Sequence, residues 1–168
     1  MSSRSKAQNW PYTRYSHYRK EVEKAAAKWF SDHGFAIKAR NPYILDSYGN
    51  LANNIIRPEV ADYIIKQRNE ALAQKHSYPL HKFIHHGLSS QALVFNLIGP
   101  MMVSNNYTPL SRALDQVGVI WPEGDVYAQF EYEDRLVFNE DSGQPTSVDV
   151  VFFDHQHQPR IFIESKFV

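Results

Sequence analysis

The sequence predicts an α+β fold, with helices first and a three-stranded meander after them. Segments with apolar residues at helical spacing lie between residues 16 and 118. Segments rich in β-branched and aromatic residues lie between 126 and 168, divided by turn-forming clusters at 139–145 and 154–159. Helices in one run and strands in the next define this class. A length of 168 residues suffices for a real buried core. The expected division is an N-terminal helical region over 1–77 and a core over 78–168 that carries the chemistry.

The first helix is expected from Ser16, its cap, to His33, where Gly34 stops it. Tyr18, Val22, Ala25, Ala26 and Trp29 recur at helical spacing along it. Asn41-Pro42, Gly49-Asn50 and Asn53-Asn54 make 40–57 read as turns and loop. Pro58 suits the first turn of a second helix running to about Lys75, with Val60, Ile64, Ile65, Ala71 and Leu72 on its apolar face. Ser89 or Ser90 caps a third helix, which runs through QALVFNLI to Gly99-Pro100. That helix is apolar on most sides and should be buried. A short fourth runs from Thr108-Pro109 to Gly118. Strands are expected at Val126–Phe138, Val148–Phe153 and Arg160–Val168. Residues 1–12 read as frayed, and no internal repeat is present.

Composition narrows the function. There is no cysteine, so there is no thiolate metal site, no cysteine nucleophile and no disulfide framework. That pattern and the absence of a signal-peptide core predict a cytoplasmic protein. No run of about 18 apolar residues suggests a membrane span. Net charge is zero, but the signs are segregated. Residues 1–40 carry nine Lys or Arg against three acids, and residues 121–168 carry three against ten. An enzyme that binds both a cation and a polyanion needs both signs, acids for the metal and bases for the phosphates. Random surface patterning is the plainer alternative.

The sharpest signal sits in the last two predicted strands. Asp149 interrupts the apolar run Val148–Phe153. Glu164 and Lys166 interrupt the run Ile161–Phe167, and their spacing of two puts both on one face of a strand. If the two strands pair as a hairpin, Asp149 lies near Glu164. A hard divalent cation such as Mg²⁺ takes oxygen ligands, and one or two carboxylates with water suffice. Such a cation cancels the repulsion of two carboxylates buried together. Lys166 then holds the attacking water and offsets charge growing on a phosphate. The backbone carbonyl of Ser165 offers a further ligand. The plainer alternative is a same-face ion pair of Glu164 with Lys166 and a solvent-facing Asp149.

Asp149 followed by Glu164-Ser165-Lys166 resembles the signature of the PD-(D/E)xK, restriction-endonuclease-like nuclease superfamily. The segment SSQALVFNLIGP resembles the core helix of a group of bacterial proteins of that type, and the likeness covers residues 78–168. It implies an α/β/α core, Mg²⁺ (or Mn²⁺) as cofactor and DNA as partner. It also implies hydrolysis of phosphodiester bonds to leave a 5′-phosphate. Many members bring an acidic or amide residue from the first core helix into the site. The positional match is Gln91, with Asn96 further along; helix capping and a buried hydrogen bond are their plainer roles. The sequence departs from the pattern in three places. Val148 stands where the proline of the motif would be, the core-helix carboxylate is missing, and the C-terminal helix and strand of the core are expected to be absent after Lys166. Oligomeric state is left open, a homodimer included.

Other motifs carry less. His76, His81, His85 and His86 cluster in HSYPLHKFIHH. His81 and His85 would share a face on a helix, but no third zinc ligand accompanies them, so packing or phosphate contact is the preferred role. His155 and His157 fall in a turn. Trp10, Tyr12, Tyr15 and Tyr18, interleaved with Arg14, Arg19 and Lys20, either stack on bases or pack the first helix. No phosphate-cradling glycine loop or nucleophile elbow exists. The second function class compatible with the sequence is a catalytically inert nucleic-acid-binding or interaction module of the same fold.

Overall fold

Helices pack against two separate antiparallel sheets in the computed structural model, which describes residues 15–46, 51–136, 138, 140 and 146–166. Their order is α1 (Tyr15–Asp32), β1 (Ile37–Lys38), β2 (Asn41–Leu45), a 3₁₀ turn (Leu51–Asn54), α2 (Pro58–Ala73), α3 (Ser90–Ser104), α4 (Thr108–Asp115), β3 (Tyr127–Glu133), β4 (Ser147–Phe153) and β5 (Pro159–Ile163). The α+β class and the three-stranded meander are as the sequence predicts. Trp10, Tyr12 and Arg14 lie outside the described residues.

The helix ends follow one rule. Gly34 has φ +66°, its N–H donates to the Ser31 carbonyl at 3.0 Å, and that of Phe35 donates to Phe30 at 3.0 Å. This is a Schellman terminator, and the Phe30 and Phe35 rings meet across it. Lys75, Asn105 and Gly118 close α2, α3 and α4 in the same way, each with positive φ. Pro58 opens α2, and the Ser89 hydroxyl caps α3 by accepting from the Ala92 N–H at 3.2 Å.

Three expectations need correction. The stretch 40–57 is not all loop, because β1 and β2 form a small hairpin and 51–54 a 3₁₀ turn. Two-residue β1 is too short to show a period, and Pro42 in β2 reads as a breaker. Second, α3 does not stop at Gly99-Pro100 but continues to Ser104. Proline forfeits one backbone bond there. Burial of Met102, a Ser104 hydroxyl donating to the Pro100 carbonyl at 2.7 Å, and the Asn105 terminator carry the helix past it. Third, β5 ends at Ile163, so Glu164 and Lys166 lie just beyond the strand.

One core joins the layers. Val60, Ala61 and Ile64 of α2 pack with Val94, Phe95 and Ile98 of α3, and with Phe130, Val150, Phe152 and Ile161 of the meander. Phe95 and Phe130 meet edge-on at 4.8 Å between ring centroids. The helices approach closely at Gly99, where a Cβ would stand 2.3 Å from Val60 Cγ1. Gly99→Ala is therefore expected to lower unfolding free energy by about 1–3 kcal/mol through overpacking. Val60→Ala in the same chain should restore part of it. Urea melts check this, and a Gly99→Ala protein as stable as wild type would show that α2 and α3 part freely.

The smaller sheet positions the segment before α3. The Ile44 strand bridges His86, the Leu45 N–H donates to the His85 carbonyl at 3.1 Å, and the Gly87 N–H donates to Tyr43 at 2.9 Å. The Asn54 amide donates to the carbonyls of Ile84 and His86 at 2.6 and 2.8 Å. Helix α1 lies on the same unit; a Cβ at Gly87 would stand 2.3 Å from Ala26 Cβ. Residues 84–87 are thus held by backbone bonds although they belong to no helix.

Candidate active site

The meander register brings the predicted residues together. Val150 pairs with Ile163, Val151 with Phe162 and Phe152 with Ile161. Asp149 and Glu164 are the chain neighbours of the outermost pair, Val150–Ile163. The Ser165 N–H donates to Asp149 Oδ2 at 2.6 Å, and Lys166 Nζ donates to Glu164 Oε1 at 2.7 Å. These four residues line one side of a cleft of about 710 Å³.

Electrostatics ties them to one another. Burial pushes the Asp149 carboxyl up, the Ser165 amide opposes this, the Glu164 charge adds to it, and Lys166 offsets it. The hydrogen bond and charge of Glu164 hold the Lys166 ammonium above its usual range, with Asp149 adding to the effect. Lys166 therefore carries its proton at neutral pH, as a donor and counter-charge rather than a base.

A third carboxylate, which the sequence reading missed, stands behind this pair. Glu131 is 7% exposed and has φ +52°. It sits between the Phe130–Val150 and Tyr132–Val148 pairs, and its left-handed backbone breaks the in–out alternation, so that Phe130 and Glu131 are both buried. Gln91 Nε2 donates to Glu131 Oε1 at 2.6 Å, and the Ser147 hydroxyl donates to Oε2 at 2.8 Å. Burial raises its pKa to about 7; Gln91 and Ser147 pull the other way, and the charges of Asp149 and Glu164 push up further. The available signal was the extra acid in Phe130-Glu131-Tyr132-Glu133, which reads equally well as a solvent face.

Gln91 lines the cleft but is not a cap. Its Oε1 accepts from the His81 N–H at 2.8 Å, and its Nε2 also donates to the Pro79 carbonyl at 2.9 Å. It ties the 79–81 segment to β3. Asn96 is elsewhere: its amide donates to the carbonyls of Asn54 and Ala92, and its oxygen accepts from the Ile56 N–H. The histidines do not form a helical zinc pair, because 79–87 contains turns and no helix. His157, at φ 59°, meets the Tyr127 hydroxyl at 2.9 Å in the β4–β5 turn.

The donor chemistry fits a hard cation. Two carboxylates and a carbonyl are oxygen ligands of the kind Mg²⁺ accepts, with water completing the shell. Among the described residues, Asp149 and Glu164 each commit one oxygen to the bonds above and keep the other. Among the described residues, no group of three His, Cys, Asp or Glu is gathered to hold a metal. Glu131, with both oxygens engaged by Gln91 and Ser147, is accordingly a supporting group.

An α+β chain with an aspartate on one strand, and Glu-x-Lys just past the next, is built as a restriction-endonuclease-like protein. The comparison with protein families agrees. The chain belongs to the family described as "Restriction Endonuclease associating with ARP", whose model matches residues 23–168. No curated protein and no solved structure matches it. No helix among the described residues is long and apolar enough to cross a membrane.

Proposed function

We propose that this cleft hydrolyses phosphodiester bonds of DNA with the help of a divalent cation, Mg²⁺ or in its place Mn²⁺. The observation that carries the reading is the bond from the Ser165 amide to Asp149. It fixes the aspartate against Glu164-Ser165-Lys166 in a chain of a restriction-endonuclease family. Asp149, Glu164 and the Ser165 carbonyl would hold the cation. A bound cation supplies Lewis acidity to the phosphate and a more acidic water.

The protein's own residues do the rest. Lys166, kept protonated by Glu164, donates to the attacking water and offsets charge on the phosphate oxygens. Water oxygen bonds to phosphorus, the P–O3′ bond breaks, and the proton released passes to O3′ through solvent. The products are a 5′-phosphate and a 3′-hydroxyl. Gln91 and Glu131 hold the cleft walls in register.

The test is nicking of supercoiled plasmid. Mg²⁺ and Mn²⁺ should support it and EDTA should abolish it; nicking that persists in EDTA would overturn the metal reading. The 2.7 Å Lys166–Glu164 pair also suits an inert binding module, because it occupies a ligand oxygen. DNA binding with no nicking under either metal would select that reading instead.

A further inference from the structure

The cleft also carries two cations beside its carboxylates. Arg19 from α1, and His81, Lys82 and His86 from the segment before α3, line the same cleft. Lys82 Nζ lies 4.8 Å above the centroid of the Phe83 ring. The His81 and His86 rings flank Phe83 at 5.2 and 4.8 Å. Phe83 is nevertheless 42% exposed, with Lys82 over one face of its ring.

A further observation marks this wall as unbalanced. Among the described residues Lys82 has no ion-pair partner, while Arg19 is shared with Glu23 at 2.9 Å. Burial first, and then His85, Lys38 and His81, press the His86 pKa down, so its ring favours the neutral form and offers an N–H rather than a charge. The wall is also stiff. Asn54, β2 and the Gln91 oxygen hold residues 81–87 by backbone bonds. Few side chains need to be ordered on binding, so little of the contact energy is lost.

We propose that residues 81–86 are a grip for an unpaired nucleic-acid strand, with one base stacked on Phe83 and the flanking phosphates held by Lys82, Arg19 and the histidine N–H groups. The inference rests on the nucleic-acid reading of the cleft and adds the form of substrate it admits. A flat aromatic beside a lysine stacks on any base, whereas a paired base in a duplex has its faces covered. An overhang, flap or melted end therefore fits better than intact duplex, with the next phosphate reaching toward Asp149 and Glu164.

Fluorescence anisotropy with a labelled oligo(dT) 12-mer and a matched duplex tests this, in EDTA so that nothing is cut. Wild type should bind the single strand more tightly. Phe83→Ala should weaken single-strand binding by roughly 10-fold, as loss of one stacked base does. Phe83→Trp should retain it, and Lys82→Glu should weaken it and flatten its salt dependence. Circular dichroism melts confirm that the variants fold. Wild-type affinity in both Phe83→Ala and Lys82→Glu would overturn the grip, as would a wild type that ignores the oligonucleotide. Plasmid nicking by the same proteins, assayed in Mg²⁺ or Mn²⁺, separates the two ideas. Nicking with unaffected variants sinks the grip alone, and weakened variants without wild-type nicking sink hydrolysis alone.

Discussion

Asp149→Asn and Lys166→Ala should each lower Mg²⁺-dependent cleavage by about 10³-fold, about 4 kcal/mol of transition-state stabilisation. Asparagine keeps an acceptor for the Ser165 amide, so the β4–β5 end stays in place while the charge is lost. Alanine at 166 removes the ammonium that Glu164 keeps charged. Affinity for DNA measured in EDTA should change little, because most of it comes from cations elsewhere. Single-turnover cleavage alongside anisotropy makes the comparison. Full cleavage by both variants, free of contaminating nuclease, would refute the assignment; equal losses of binding and cleavage would move these residues to a binding role.

Glu131→Gln should make the metal-free protein more stable, and only at higher pH. The Glu131 carboxyl has a folded pKa of about 7 against an ordinary 4.5. The folded state therefore binds the proton more tightly than the unfolded chain. That contribution is full below about pH 4.5 and is lost as pH rises through 7. By pH 8 the folded protein carries a buried, crowded carboxylate at a penalty of about 3 kcal/mol. Glutamine avoids it, and its amide can still accept from Gln91 and donate to Ser147. In EDTA the variant's Tm should match wild type near pH 4 and exceed it by roughly 6–12 °C at pH 8. A difference that does not move between those pH values would mean Glu131 titrates normally.

The sequence made some of this legible and hid the rest, for physical reasons. Asp149, Glu164 and Lys166 stood out because a charge inside an apolar strand has to be explained by something that pairs it. The meander was visible because the segments between its strands concentrate Asn, Asp, Gly and Pro. Glu131 was not visible: Phe130-Glu131-Tyr132 looks like ordinary alternation, and a left-handed backbone at a glutamate has no sequence mark. Gln91 was located by its helix, but its partners lie 10 and 40 residues away, beyond any local pattern. The histidine cluster suggested chemistry by composition. Only the backbone bonds to β2 and Asn54 show it as a rigid wall. The β1–β2 hairpin and the passage of α3 through Pro100 escaped because tertiary burial outweighed local propensity.

The Schellman-type closures of α2 and α3 differ from those of α1 and α4 in one respect. Lys75 and Asn105 occupy left-handed positions that glycine fills at Gly34 and Gly118. A lysine there is held in a sparsely populated conformation by the contacts around it. The chain therefore contains an unused reserve of thermal stability at a residue that does not line the cleft. Position 75 is where an engineer seeking a hardier protein would begin, because Lys75 itself lines no part of the cleft.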